Sequence, residues 1–180
     1  ERVGPEAGAE VRYNAAMCMF LALLAMGLFI GLRQQYAYAL GATVALAHDI
    51  LVLLTYCLVF AEPISQIVLM AITTVLGYSI NDTVVVFDRI REEIGVNPDL
   101  GNKALMIKTI NESINHTMSR TVMTATTVFL VVTVLLIFGG DVLRGFSFAM
   151  FIGVVFGAYS SIFVAAPIVI DLGTSSKPKK

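Results

Sequence analysis

Apolar residues in this chain come in long unbroken runs. They do not alternate as in a barrel strand, nor recur every third or fourth position as on a helix covering a soluble core. Five runs are of the length an α-helix needs to cross the apolar interior of a bilayer, roughly 20 residues. They cover about 14–32, 36–60, 64–87, 120–138 and 142–170. Arg33 closes the first, Glu62 and Pro63 the second, the charged stretch from Asp88 to Glu93 the third, and Gly139-Gly140-Asp141 the fourth. The pattern predicts an all-α polytopic membrane protein with five transmembrane helices. Residues 1–13 read as an external lead-in, 14–171 as the membrane domain and 172–180 as a cytoplasmic tail.

The first run is too long for a signal peptide, and no small-residue cleavage site follows it. Between the third and fourth runs, Ile107, Ile110, Ile114 and Met118 recur at helical spacing after Asn102, a suitable N-cap. An amphipathic helix over about 102–118 is expected to lie along the inner face and lead into the fourth span, with Lys103, Lys108, Asn111 and Asn115 away from its apolar stripe.

Five crossings put the termini on opposite sides. With the start outside, the inner segments hold nine Lys and Arg (Arg33, Arg89, Arg91, Lys103, Lys108, Arg120, Lys177, Lys179 and Lys180), against three outside (Arg2, Arg12 and Arg144). The excess of positive charge on cytoplasmic loops selects that orientation. An external start without a preceding span, and no initial Met, lead to the expectation of a C-terminal piece of a longer protein.

Composition agrees with the runs. Hydrophobic residues make up 57% of the chain and charged residues 14%, a balance well outside that of a soluble domain. The net charge of −1 gives no sign of a nucleic-acid partner. Cys18 and Cys57 fall within apolar runs and read as small core residues, not as a disulfide or metal site. No Walker, G-x-S-x-G, C-x-x-C or H-E-x-x-H motif occurs, so no enzymatic activity is expected and any energy must come from elsewhere. Gly27 with Gly31, and Gly153 with Gly157, are G-x-x-x-G pairs, the second continued by Ala158, Ser160 and Ser161. Small residues of this kind let helix backbones approach closely in lipid.

Against that background the buried charges stand out, because one charge at the bilayer centre costs about 2.5–3.5 kcal/mol on insertion scales. His48 with Asp49, Asn81 with Asp82, and Arg120 bear such a cost. At about 1.5 Å per residue, Asp82 lies roughly 10 Å from the middle of its span towards the inner face, and Arg120 about 13 Å towards the same face. An acid and a base at similar depth on consecutive helices can pair, which lowers the cost of each. Such a pair is either a fixed bridge between two helices or a two-state switch thrown by a proton, and the residues alone leave both open. Ser79 and Thr124 share faces with the two charges, and Arg89 is the competing partner for Asp82 nearer the inner surface. Asp49 reads as a second carboxylate reached by protons or bonded to hydroxyls. His48, as an imidazole, suits a relay or a packing role. Neighbours on a helix point about 100° apart, so His48 and Asp49 do not make a metal site, and no cofactor other than the proton is expected.

The stretch "GYSINDTVVVFDRIREE" resembles the signature of the SecF family of bacterial protein-export membrane proteins. "VGPEAGAE", "ALGATVALAHDILVLL", "SRTVMTATTVFLVVTVLLIFGG" and "GVVFGAYSSIFVAAPIV" resemble other SecF segments, in the right order over nearly the whole chain. The resemblance implies the second to sixth spans of a six-span fold, similar to one half of an RND exporter, without the external domain. It implies SecD as the pseudo-symmetric partner, the SecYEG channel with its motor ATPase and the accessory subunit YajC as further partners, preproteins as substrate, and the bacterial inner membrane as location. It further implies that Asp82 of the N-D-T motif and Arg120 of the R-T motif carry protons. The rival readings are a small-molecule proton antiporter of the RND class and a scaffold that uses no energy.

Overall fold

The structure, a computed structural model, describes residues 5–96 and 103–173. The described residues form a helical bundle: α1 (Pro5–Arg33), α2 (Tyr36–Val59), α3 (Gln66–Val96), α4 (Lys103–Phe138), α5 (Gly140–Ser160), a π-helical turn (Ser161–Ala165) and α6 (Ala166–Gly173). Five segments are long and apolar enough to cross a membrane, with α5, the π turn and α6 acting as one. This is a multi-pass membrane protein. Phe20, Leu24, Leu28, Leu32, Leu130, Val134 and Phe138 are exposed, as side chains facing lipid would be.

Hydropathy and helix do not end together. α1 is already helical at Pro5, inside the expected lead-in, and α3 continues past Phe87 to Val96 through the charged stretch. The expected amphipathic segment is helical, but from Lys103 it is the first half of α4, continuous with the fourth span and not laid across its end. The reason is local: no Gly or Pro occurs between 103 and 138 to break the hydrogen-bond ladder. Its buried face is Met106, Thr109, Ile110, Ser113, Thr117 and Thr121, so the inward stripe turns polar, and Ile107 is exposed. The proposed cap Asn102 and most of the tail lie outside the described residues.

Two large apolar clusters fill the bundle, with a smaller one of Leu46, Ile50 and Leu76. One joins Ile30, Tyr38, Ala42, Ala45, Val86, Phe87, Ile90, Met106, Ile110 and Val169. The other joins Leu53, Tyr56, Ile72, Val75, Val132, Ala149, Met150 and Val154. In α2, α3, α4 and the last span, most of the buried polar residues lie in sequence between these two: Asp49, then Ser79, Asp82 and Thr83, then Ser113, Thr117 and Thr121, then Ser160 and Ser161; Thr109 and Ser147 lie within the apolar stretches. The middle of the interior therefore gathers most of the polar groups beside Leu46, Ile50 and Leu76, with a large apolar cluster to either side.

Small residues set the helix spacing, as their pattern predicts. A Cβ on Gly27 would stand 2.8 Å from Thr43 Oγ1, and one on Gly157 would stand 3.2 Å from Ser79 Cβ. The turn from α4 to α5 needs glycine for a different reason. Gly140 has φ +70°, and open space surrounds the position of its missing Cβ. Gly140→Ala is therefore expected to cost about 1–2 kcal/mol through backbone strain alone, seen as earlier unfolding in a denaturing-detergent titration.

Candidate functional site: two carboxylates in the polar layer

Asp82 is 6% exposed and Asp49 1% exposed, so both carboxylates are inside the bundle. α3 presents Asp82 towards α4 and the last span. Its Oδ1 accepts a hydrogen bond from Thr121 Oγ1 at 2.7 Å, and its Oδ2 accepts one from Ser161 Oγ at 2.8 Å. α2 presents Asp49 towards α3 and the last span. Its Oδ2 accepts from Ser79 Oγ at 2.6 Å and from Ser160 Oγ at 2.9 Å, while His48 Nδ1 lies 3.3 Å from Oδ1. Hydrogen bonds to charged groups contribute about 1.5–3 kcal/mol each, so two hydroxyls offset a cost of the size that a charge meets at this depth.

The two sites meet at one point in the chain. Ser160 is the last residue of α5 and Ser161 the first of the π turn. Successive helical residues point about 100° apart. The pair therefore addresses two different neighbours, Ser160 the carboxylate of α2 and Ser161 that of α3. The widened turn has a local cause in Pro167, which brings no N–H to the helical ladder and crowds the carbonyl four residues back. π turns of this kind occur mostly as single insertions within α-helices, often at functional sites.

The structure does not form the expected pair of Asp82 with Arg120. Arg120 is exposed and makes no ion pair among the described residues; it lines a surface groove with Val85, Asp88, Arg89, Glu92, His116 and Thr117. Depth along a helix fixes height, not direction: Thr121, one residue on, is the side chain turned inward to Asp82. Arg120 is nonetheless the neighbour, about 100° round α4, of the residue that holds Asp82. Arg89 does not compete for Asp82 either. Its guanidinium pairs with Glu92 at 2.7 Å and Glu93 at 2.6 Å, and lies 3.2 Å from His116.

The supporting residues divide. Ser79 serves Asp49, not Asp82, although it is one turn from the latter. Thr124 donates to the carbonyls of Arg120 and Thr121, both at 3.0 Å, within its own helix. Asn81 is exposed beside a cleft lined by Ala25, Met26, Phe29, Ile80 and Val84, away from its neighbour Asp82. His48 is half-buried and meets Asp49 from the same helix. Thr121, Ser160 and Ser161 are the partners that sequence reasoning missed, the two serines having been read as packing residues. The available signal was a pair of adjacent hydroxyls in the middle of an apolar run, just ahead of a proline.

Residues 1–175 match the family described as protein export membrane protein SecD/SecF, C-terminal. The chain is 47% identical over 176 residues to the protein translocase subunit SecF of Rhodothermus marinus, covering 94% of this chain and 56% of that protein. It is 41% identical over 177 residues to the SecF of Pseudomonas aeruginosa, covering 98% and 56%. Among solved structures, the crystal structure of SecDF from Thermus thermophilus superposes with a TM-score of 0.86 at 37% identity, covering 95% of this chain and 23% of that one. SecDF in its super-membrane-facing form gives a TM-score of 0.83 at 35% identity, covering 96% and 22%. The chain thus spans about half the length of the curated relatives it matches.

Proposed function

Since this chain belongs to the SecD/SecF family of protein export membrane proteins, as the C-terminal region of a SecF, we propose that it is the membrane part of a subunit that couples proton movement to preprotein export. Its partner in that work is SecD, and the complex acts with the SecYEG channel, its motor ATPase and YajC in the bacterial inner membrane. The start of the chain faces outwards and its end faces the cytoplasm. No cofactor beyond the proton is used, and the subunit catalyses no reaction of its own.

The observation that carries the reading is Asp82, an acid inside the bundle whose two oxygens are held by hydroxyls from two other segments. A proton on Asp82 removes the charge that Thr121 and Ser161 bind. α4 and the last span are then held to α3 only by weaker, neutral hydrogen bonds. With Thr121 held less firmly, the Arg120 side chain, next to it on α4 and lining the outer groove, is the charge that can approach the carboxylate. A proton crossing the membrane releases about 2.3 kcal/mol per 100 mV, comparable to the hydrogen bonds being exchanged. The groups that touch the acid's oxygens are hydroxyls and the adjoining interior is aliphatic, which favours a proton over a small molecule as the species bound there.

The test is export by the full-length protein assembled with SecD, measured with and without a proton gradient. Collapsing the gradient is expected to lower export by the unaltered protein and to change nothing in Arg120→Ala, whose export already lacks the gradient-dependent part. Equal gradient dependence in the two proteins overturns the coupling.

A further inference from the structure

We propose that Asp49 is a second proton-binding carboxylate, held in both its charged and its neutral form by Ser79 and Ser160. This rests on the reading of the membrane domain as proton-coupled, and it adds a site to that reading.

Asp49 is the most deeply enclosed charged residue described, and its surroundings suit two protonation states. When charged, it accepts from Ser79 at 2.6 Å and Ser160 at 2.9 Å. When neutral, its own O–H needs an acceptor. A serine hydroxyl has one hydrogen and two lone pairs, so it can donate in one direction while accepting from another. Ser160 Oγ has a second acceptor for that hydrogen already in place, the Gly157 carbonyl at 3.1 Å. Turning the hydrogen from Asp49 to Gly157 leaves Oγ free to accept from the protonated carboxyl. One proton arrives on Asp49, none leaves Ser160, and no heavy atom has to move. A purely structural acceptor requires only the first of these arrangements.

The groups around Asp49 supply a route. His48, on the same helix, is within 3.3 Å and its side chain is 34% exposed, so it links the carboxylate to the bundle surface. α3 brings Ser79 and, three residues on, Asp82; α5 and the π turn bring the hydroxyls Ser160 and Ser161. α1 brings the apolar Leu23 and Met26 against Leu46 and Ile50 on either side. Ser161 has the same double choice as Ser160, with Asp82 Oδ2 at 2.8 Å and the Ala158 carbonyl at 3.0 Å. Consecutive residues of one turn thus register the charge of both acids.

Difference infrared spectroscopy across a pH step tests this on the full-length protein with SecD in liposomes. The protonated-carboxyl C=O region is expected to hold two bands, one lost in Asp49→Asn and the other in Asp82→Asn. Ser160→Ala keeps the carboxyl and removes one hydroxyl, so it should shift the Asp49 band and leave the Asp82 band in place. A difference spectrum unchanged by Asp49→Asn overturns the proposal. If that variant fails to assemble, Ser160→Ala decides: a shifted band supports the proposal and two unshifted bands overturn it. The spectrum does not depend on export. Gradient-independent export with an intact Asp49 band would therefore defeat the coupling reading and leave the second site standing.

Discussion

Asp82→Asn, in full-length protein assembled with SecD, is expected to abolish the gradient-dependent part of export while membrane abundance stays near that of the unaltered protein. The two effects separate because Asn keeps the shape of the site and loses only its ability to titrate. Its carbonyl can accept from Thr121 in place of Oδ1. Its NH₂ then faces Ser161 Oγ, which can accept it by turning its own hydrogen to the Ala158 carbonyl 3.0 Å away. Hydrogen bonds to a charge, about 1.5–3 kcal/mol each, become neutral bonds of about 0.5–1.5. The cost of burying the charge disappears at the same time, so the net change in stability is small. Export and abundance measured in the same cells check this. A scaffold that uses no energy would lose export only in proportion to its abundance, and undiminished gradient dependence would remove Asp82 from the mechanism.

Gly153→Leu is expected to have the largest effect on folding, with little protein recovered in the membrane. A Cβ at this position would stand 2.3 Å from Val75 Cγ2, 2.8 Å from Cγ1 and 3.1 Å from Cβ. Val75 is fully buried and β-branched, with one strongly preferred rotamer in a helix, so it cannot swing aside. α3 and α5 must separate. Overpacking of this kind costs about 1–3 kcal/mol when methylenes are added to a filled core, and Gly153→Ala should fall in that range, with Leu beyond it. One turn further along the same contact, Gly157 lies against Ser79, so the separation also draws Ser79 from Asp49. Gly31→Ala is the control: its new Cβ would meet Ala39 Cβ at 3.5 Å, an ordinary contact, and stability should hardly change. Unfolding in a denaturing-detergent series ranks the three.

The spans were legible because lipid demands length and apolarity together, and those are properties of a run of residues. What lay outside lipid depth was not marked in that way. The end of α3 from Asp88 and the first half of α4 carry many polar and charged side chains, yet their backbone ladders continue. Asp82 was legible because a charge in an apolar run is costly and conspicuous. Its partners were not, because a serine or threonine hydroxyl costs little in such a run. Arg120 shows the same limit from the other side: spacing gave its height but not which way it points, and its neighbour, about 100° round α4, is the one that meets the carboxylate. The π turn left one trace, Pro167, from which an irregularity could be expected but not its width.

The continuity of α4 has a mechanical consequence. Its 36 residues rise about 54 Å at 1.5 Å each, against an apolar bilayer thickness of about 30 Å. With no Gly or Pro inside, it lacks the residues at which sharp kinks most often form. Thr121, bonded to Asp82, sits at the middle of this rod. Tilting about that fulcrum swings the ends in opposite directions like a seesaw, so the arm carrying Met106 and Ile110 and the arm carrying Val132 cannot move independently.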